Sequence, residues 1–167
     1  FKGTVLEGKT SDYTIFHKAG IKIGVFGLGV DIEGLVDPNN FKGMKYLDPI
    51  EVSKKVVQIL KEKHKCELII CLSHLGYQYE NDKVSDLVLA AKTSDIDLII
   101  GGHTHTFLNE PTLVTNLKGM KTVVNQVGFA GINLGRIDFI MEPGSKKKQM
   151  VASTYQIDPT IPASMLA

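Results

Sequence analysis

The sequence predicts an α/β protein built around a mixed β-sheet. Residues 67–72 and 96–100 are short apolar runs, and a helical pattern lies between them. Parallel strands need a long connection of this kind, so the two runs are predicted to pair in parallel. After Pro111 the pattern changes to strands separated by glycine-containing turns, which favours antiparallel pairing. The expected sheet therefore contains both kinds of neighbour.

The first elements are predicted to be a hairpin followed by a loop. Residues 13–17 and 21–26 are β-rich runs, and the Lys-Ala-Gly sequence between them is typical of a turn. Residues 27–40 are rich in glycine and aspartate and are interpreted as a loop.

Two helices are predicted from capping residues and apolar periodicity. Asp48 can cap the first helix, Pro49 suits its first position, and Glu51 can close a capping box. This helix is predicted to run to about Lys63, with an apolar face formed by Val52, Val56, Ile59 and Leu60. The second helix is predicted to start at Asp82, with an apolar face formed by Val84, Leu87, Val88 and Ala91.

The last third of the chain is predicted to hold strands at residues 113–115, 122–127 and 132–141. The basic cluster Lys146-Lys147-Lys148, which follows a Pro-Gly-Ser sequence, is interpreted as a solvated turn. Residues 1–157 are expected to form one unit and residues 158–167 a linker or tail.

Composition and charge exclude several classes of protein. With 167 residues, 43% of them hydrophobic and 22% charged, the chain can bury a core as an ordinary globular domain. Its formal net charge of +1 gives no overall field that would recruit a nucleic-acid polymer or an anionic membrane. No apolar run approaches the ~18 residues that a membrane span requires. Cys66 and Cys71 are not expected to form a disulfide, because their odd offset on a strand points them to opposite faces.

Three of the five histidines follow the two buried strands. His74 comes directly after the first strand, and His103 and His105 follow the second in the sequence Gly-Gly-His-Thr-His. Open α/β sheets bind ligands at the carboxyl ends of their strands, so these imidazoles are expected to converge at one edge. Imidazole is a preferred ligand of zinc and its first-row neighbours. A polar core or surface histidine is the alternative for each, and it is adopted for His17 and His64.

The spacing of His103 and His105 suggests that each could serve a different ion. On extended chain, the two rings would lie on one side, with their Cα atoms roughly 6.5–7 Å apart. Two ions about 3.5–4 Å apart could then each take one ring. The glycines before His103 would let the backbone turn into the site without a Cβ clash.

A two-metal site also requires carboxylates, above all one that bridges the ions. The nearby acids are assigned to other places. Asp82 is interpreted as a helix cap and Asp86 as a residue of the helix surface. Asp95 and Asp97 are placed at the strand entrance, opposite the site. No bridging carboxylate is therefore predicted in this sequence.

The motif LSHLGY, followed by GGHTHT and then by VVNQVGFAGINLGRIDF, resembles the calcineurin-like metallophosphoesterase superfamily in its bacterial 5′-nucleotidase branch. The likeness runs over residues 13–157 and corresponds to the C-terminal half of that family's catalytic domain. It implies two divalent metal ions, of Zn, Mn, Fe or Co. His74 and His103 resemble ligands of one ion and His105 a ligand of the other. Thr104 fills a position that the family gives to Ser or Thr.

The resemblance also implies a portion of the family's α/β/β/α sandwich. For the parent protein it implies hydrolysis of phosphomonoesters, above all nucleoside 5′-monophosphates. A related phosphodiesterase or esterase, and a non-catalytic fragment or binding module, are the alternatives.

The family's D-x-H, GD and N-H-[ED] motifs are not in this sequence. No catalytic residue is therefore assigned, and the chain alone is expected to be inactive. The expected partners are a small-molecule phosphoester, the N-terminal half of the domain and a separate substrate-specificity domain. Because relatives are usually exported, an extracytoplasmic location in the periplasm or at the cell surface is expected.

Overall fold

The computed structural model describes residues 3, 5, 7–141 and 148–158. Its strands are β1 (Tyr13–Lys18), β2 (Ile21–Leu28), β3 (Leu68–Ser73), β4 (Leu98–Ile100), β5 (Thr112–Thr115), β6 (Lys121–Asn125), β7 (Asn133–Met141) and β8 (Lys148–Gln156). Its α-helices are α1 (Pro49–Gln58) and α2 (Asp86–Lys92). A 3₁₀ turn (Pro38–Asn40) precedes α1, and a π-helical turn (Ile59–Lys63) extends it.

Six strands form one mixed sheet in the order β1-β2-β3-β4-β6-β5. The four central strands are parallel, and the antiparallel strands β1 and β5 form the two edges. β7 and β8 form a separate antiparallel pair. The predicted mixed sheet, and the predicted parallel pairing of β3 with β4, are confirmed. This arrangement brings the carboxyl ends of β3, β4 and β6 to one edge of the sheet.

The helices cover one face of the six-stranded sheet with an apolar core. This core includes Phe26, Val56, Val57, Leu60, Ile69, Cys71, Leu89, Ile99 and Val124. In β3, Ile69 and Cys71 belong to this core and are fully buried. Alternate positions of the same strand point to the other face because successive side chains of a strand point in opposite directions.

The other face of the sheet is only half covered. Leu72 and Ile100 are 50% and 45% exposed. A cavity of about 610 Å³ separates this face from β7, and Ile70, Leu98 and Ile137 are part of its lining. A continuous apolar run such as that of β3 is typical of a strand buried on both faces. Within the described residues, only the helix-covered face is closed.

The first helix begins where the sequence predicts. The Oδ1 atom of Asp48 accepts hydrogen bonds from the N–H groups of Ile50 and Glu51, at 2.8 and 3.0 Å. Glu51 does not close the predicted capping box; the structure pairs its carboxylate with Lys54 at 2.8 Å.

The second helix begins at Asp86, and the predicted start at Asp82 is wrong. Its N-cap is Ser85, whose Oγ accepts a hydrogen bond from the N–H of Val88 at 3.3 Å. The buried residues of α2 are Asp86, Leu89 and Ala90. Of the predicted face, Val84 and Leu87 are partly buried against the core, whereas Ala91 is exposed. The side chain of Asp86 bonds to Ser73 of β3. A polar contact therefore helps to decide which side of α2 faces the sheet, and apolar periodicity does not register it.

The strand β8 was not predicted from the sequence, because polar residues such as Gln149, Ser153 and Thr154 obscure its alternation. Lys148, interpreted as part of a solvated turn, is the first residue of β8, and its Nζ forms an ion pair with Asp97. The predicted turn at residues 146 and 147 lies outside the described residues. So does the predicted tail from residue 159 onward.

Cys66 and Cys71 are buried and free. The predicted placement on opposite faces of one strand is wrong, because Cys66 precedes β3 and both residues belong to the same core. In the described part of the chain, no helix has the length and apolar character needed to cross a membrane.

Candidate metal centre

His74 and His103 meet at the carboxyl edge of the sheet. His74 directly follows β3, and its N–H donates to the carbonyl oxygen of Leu28 at 2.9 Å, at the end of β2. His103 follows β4 after two glycines. The centroids of the two imidazole rings lie 5.1 Å apart, with an interplanar angle of 66°. Neighbouring parallel strands thus bring these two side chains together.

The separation of the two rings fits two ligands of one ion. Imidazoles bound through nitrogen at about 2.1 Å to a tetrahedral ion have ring centroids on the order of 5 Å apart. Burial lowers the pKa of His103, and the charges of His74, Lys83 and His105 lower it further. The neutral imidazole is the form that binds metals.

The chain between His103 and His105 is not extended, and the predicted extended conformation is wrong. His103 has φ of 71° and His105 has φ of 54°, both in the left-handed region. The N–H of Thr104 donates to the carbonyl oxygen of Gly102 at 2.9 Å, which closes a three-residue γ-turn around His103. Each left-handed residue other than glycine costs roughly 1–2 kcal/mol. The surrounding contacts must therefore hold this turn in place.

The glycines before His103 are required by close approach, as predicted. A Cβ atom on Gly102 would lie 3.1 Å from Nδ1 of His74, tighter than most real contacts. A Cβ atom on Gly101 would overlap the carboxylate of Asp86. Neither glycine has a positive φ. Their value lies in the space that they leave for neighbouring side chains.

His105 follows the γ-turn and is exposed. Its ring stacks on Phe129, with centroids 4.8 Å apart and an interplanar angle of 19°. Phe107 packs edge-on against the same phenyl ring at 5.8 Å. His105 is close enough to His103 to lower its pKa. Its ring plane is set by Phe129, which the sequence analysis did not single out.

Gln126, which follows β6, forms hydrogen bonds with three residues of the segment from Gly102 to Thr106, which we call the histidine turn. Its Nε2 donates to the carbonyl oxygen of Gly102 at 2.8 Å. Its Oε1 accepts from the hydroxyl of Thr104 at 3.2 Å and from the N–H of Thr106. Thr104 in turn accepts a hydrogen bond from the N–H of Tyr77 at 3.0 Å, which joins the turn to the loop after His74.

Asp86 lies beneath the site, and its predicted place on a helix surface is wrong. The residue is fully buried. Its Oδ1 accepts a hydrogen bond from Oγ of Ser73 at 2.5 Å. Ser73 directly precedes His74 in the chain. The same Oγ accepts a hydrogen bond from the N–H of Leu75 at 3.1 Å. Through the hydroxyl of Ser73, the carboxylate therefore supports the backbone on both sides of His74.

Asp95 and Asp97 lie where the sequence predicts, away from the histidines. Asp95 pairs with Lys118 at 2.5 Å, and Asp97 accepts from the N–H of Ile69 at 2.8 Å, both at the entrance end of the strands. Among the described residues, no three His, Cys, Asp or Glu side chains are grouped closely enough to hold a metal ion. The donor set fits part of a metal shell, with His74 and His103 as its central pair.

The residues that sequence reasoning missed carry only weak signals. Gln126 ends a buried strand, which is the position that singled out His74, but an amide there has many roles. Asp86 follows Ser85, a typical N-cap, and acids are common in the first turn of any helix. What sets Asp86 and Gln126 apart from other residues of their types is a hydrogen bond to another element. These bonds join residues that lie 13 and 24 positions apart in the sequence.

The fold agrees with comparisons to solved structures. The chain is similar to the 5′-nucleotidase precursor from Thermus thermophilus, with 26% identity and a TM-score of 0.79 over 92% of this chain and 31% of that chain. It is also similar to the calcineurin-like phosphoesterase YfkN from Bacillus subtilis, with a TM-score of 0.64 and 23% identity, over 93% of this chain and 54% of that chain.

Sequence comparisons point in the same direction. The chain is 34% identical over 136 residues to the trifunctional nucleotide phosphoesterase protein YfkN of Bacillus subtilis, which covers 81% of this chain and 9% of that protein. It is 39% identical over 99 residues to the 5′-nucleotidase of Vibrio cholerae, covering 54% of this chain and 18% of that protein. The chain thus spans less than a fifth of the length of these two relatives. The profile of the calcineurin-like phosphoesterase family matches residues 5–107, and this chain belongs to that family.

Proposed function

We propose that the complete protein containing this chain hydrolyses phosphomonoesters, above all nucleoside 5′-monophosphates, with the help of two divalent metal ions. Calcineurin-like phosphoesterases generally use divalent metals. The observation that carries the proposal is the pair His74 and His103, whose rings lie 5.1 Å apart at the carboxyl ends of neighbouring strands. We assign these two residues to one ion and His105 to the other.

Within this proposal, the chain's own residues bind and orient the metal ions. His74 and His103 offer imidazole nitrogens from two loops that Thr104 and Tyr77 tie together. Phe129 holds the plane of His105. The bound ions would supply Lewis-acid stabilisation of the phosphoryl oxygens and a water-derived nucleophile near neutral pH. The bridging carboxylate and the acid that protonates the leaving group would come from parts of the complete protein outside this sequence.

A broader phosphoester specificity is the second candidate. The relative that matches the larger share of this chain is named a trifunctional nucleotide phosphoesterase, whereas the Vibrio cholerae relative is named a 5′-nucleotidase. A panel of nucleoside monophosphates and nucleotide diesters, assayed with the complete protein, would separate the two. We further propose an extracytoplasmic location, which fractionation of the source cells would test.

The ligand assignment predicts a graded series of losses in the complete protein. His74→Ala and His103→Ala should each lower kcat strongly, because either change opens the shell of the same ion. His105→Gln should be milder than His105→Ala, because an amide oxygen can still coordinate. The variants would be assayed for kcat on a nucleoside monophosphate in excess metal, after circular dichroism confirms that they fold.

The matched control is His64→Ala. The ring of His64 hydrogen-bonds to the hydroxyl of Tyr13 at 3.0 Å, and the residue precedes β3, at the end of the strand opposite His74. This change should cost stability and leave kcat unchanged. Loss of activity in His64→Ala equal to that in His103→Ala, or wild-type activity in His74→Ala, would show that the ligand assignment is wrong.

A further inference from the structure

The histidine turn alternates between two kinds of residue. Gly102, Thr104 and Thr106 all bind the side chain of Gln126. His103 and His105, which lie between them, are partly or largely exposed to solvent. The amide of Gln126 thus holds every second residue of the turn inward, and the intervening imidazoles are free to face an ion.

The orientation of this amide is fixed by its partners. Nε2 of Gln126 faces a backbone carbonyl, which only accepts, and Oε1 faces the N–H of Thr106, which only donates. A flipped amide would place donor against donor and acceptor against acceptor. Gln126 is 2% exposed, so water does not compete for these bonds.

Backbone hydrogen bonds fix the position of Gln126, but they do not reach the centre of the histidine turn. The N–H of Leu108 donates to the carbonyl oxygen of Gln126 at 3.1 Å, and the N–H of Gly128 donates to that of Thr106 at 2.9 Å. On the other side, the N–H of Gly101 donates to the carbonyl oxygen of Asn125 at 2.8 Å. These bonds lie on either side of the residues from Gly102 to His105. Among the described residues, it is the side chain of Gln126 that joins this segment to the end of β6.

We propose that Gln126 is a positioning residue that holds the left-handed turn at His103 and His105 in its metal-binding shape. This inference rests on the proposed metal-binding role of the two histidines. Side chains that support metal ligands in this way typically affect metal affinity or activity by about 10–100-fold. Gln126 would act through the turn and does not itself touch the ion or the substrate.

The test uses the complete protein loaded with Co²⁺, whose visible absorption reports ligand number and geometry. Gln126→Met keeps the length of the side chain and removes all its hydrogen bonds. We expect Co²⁺ affinity to fall by about 10–100-fold, with a changed absorption spectrum and a loss in kcat rather than in KM.

Asn116 provides a matched control at the other end of β6. It is a similarly buried amide whose Oδ1 accepts from the N–H groups of Lys118 and Met120, at 2.9 and 3.1 Å, and holds the turn before β6. Asn116→Leu should lower the melting temperature and leave Co²⁺ affinity and the spectrum unchanged. Wild-type affinity and spectrum in Gln126→Met would overturn the proposal, as would equal losses in the two variants.

A measurement on the unmutated protein decides the question if the variants do not fold. The N–H of Thr106, bound to a buried amide, should exchange with solvent as slowly as the N–H groups of β6. Rapid exchange at Thr106 would overturn the proposal. Failure of the unmutated protein to bind Co²⁺ or to hydrolyse phosphomonoesters would instead contradict the proposed function.

Discussion

Asp86 is a buried carboxyl group of which only one oxygen has a hydrogen-bond partner. Oδ1 accepts from Ser73, and among the described residues Oδ2 has no partner. Burial raises the pKa of Asp86 from 3.8 to about 6, although the hydrogen bond from Ser73 acts in the opposite direction. Burial also raises the pKa values of its neighbours Cys71 and Tyr79, and the charge of Asp86 adds to the effect. Asp86 is therefore the group in this cluster that titrates in mildly acidic solution.

This raised pKa predicts a decline in stability as the pH rises. Between about pH 4 and 6, the folded state keeps a proton on Asp86 that the unfolded state has released. The stability contributed by this group is therefore fully present below about pH 3.8 and lost as the pH rises through about 6, by up to ~3 kcal/mol. Asp86→Asn should remove the decline, as measured by equilibrium urea unfolding across this range.

Asp95→Asn is the control for this experiment. Asp95 lies at the opposite end of the sheet and pairs with Lys118. Its replacement should leave the decline in place. A wild-type dependence of stability on pH in Asp86→Asn would contradict the role assigned to this buried carboxyl.

Single residues differ in how far the sequence reveals them. His74 and His103 were predictable because their position depends only on where two buried strands end. The left-handed φ of His105 was not, because non-glycine residues adopt it only when tertiary contacts enforce it. The contacts that enforce it come from Gln126 and Phe129, more than 20 residues away. Local patterns therefore locate the proposed ligands but not the contacts that shape the chain around them.

At the level of elements, Asp48 caps an α-helix and Asp37 caps a 3₁₀ turn. Asp48 accepts two backbone hydrogen bonds at the start of α1, which packs Val56 and Val57 into the core. Asp37 accepts one, from the N–H of Asn39 at 2.8 Å, at the start of an exposed 3₁₀ turn. The same residue type thus caps one element that supports the core and one that does not.

Asp48→Ala should lower the free energy of unfolding by about 0.5–2 kcal/mol, since it leaves N–H groups of α1 without acceptors. Asp37→Ala is the matched control and should have a smaller effect, because its turn buries no residue. Urea unfolding followed by circular dichroism would measure both. Equal effects of the two changes would contradict the view that the cap matters through the helix that it starts.

The two helices show why one boundary was predicted and the other was not. Asp48-Pro49 places a cap and a helix-starting proline side by side, and no other residue nearby competes for that role. Asp82 and Ser85 are both good caps, and the choice between them depends on the bond from Asp86 to β3. Element types follow from local periodicity, whereas the start of α2 depends on its neighbour in space.

For the whole molecule, the strand-helix-strand spacing predicted the parallel pairing of β3 with β4, and the late turns predicted antiparallel strands. The parallel pairing of β6 with β4 was not predicted. The half-covered face was not predictable, because the continuous apolar run of β3 is the pattern of a strand buried on both faces. Leu72 and Ile100 remain half exposed there. The sequence therefore predicts the sheet better than it predicts what lies against it.

The isolated chain is expected to bind at most one transition metal ion, and weakly. Three imidazoles without a bridging carboxylate cannot offset the mutual repulsion of two close dications. For the same reason the isolated chain should have no activity on nucleoside monophosphates. Metal analysis after dialysis would measure the stoichiometry. Two tightly held ions per chain, or turnover that disappears in His103→Ala, would contradict this expectation.

The position of β6 has a consequence for the order of events in folding. β6 follows β5 in the sequence but lies between β4 and β5 in the sheet. Gln126 directly follows β6, so its hydrogen bond to the histidine turn depends on the pairing of β6 with β4. Before the sheet has formed, the loop that carries His103 and His105 therefore lacks its hydrogen bonds to Gln126. The two imidazoles then have no fixed geometry for binding an ion. In a refolding experiment, the signal of bound metal should follow the formation of the sheet, so the site would report that the central strands are complete.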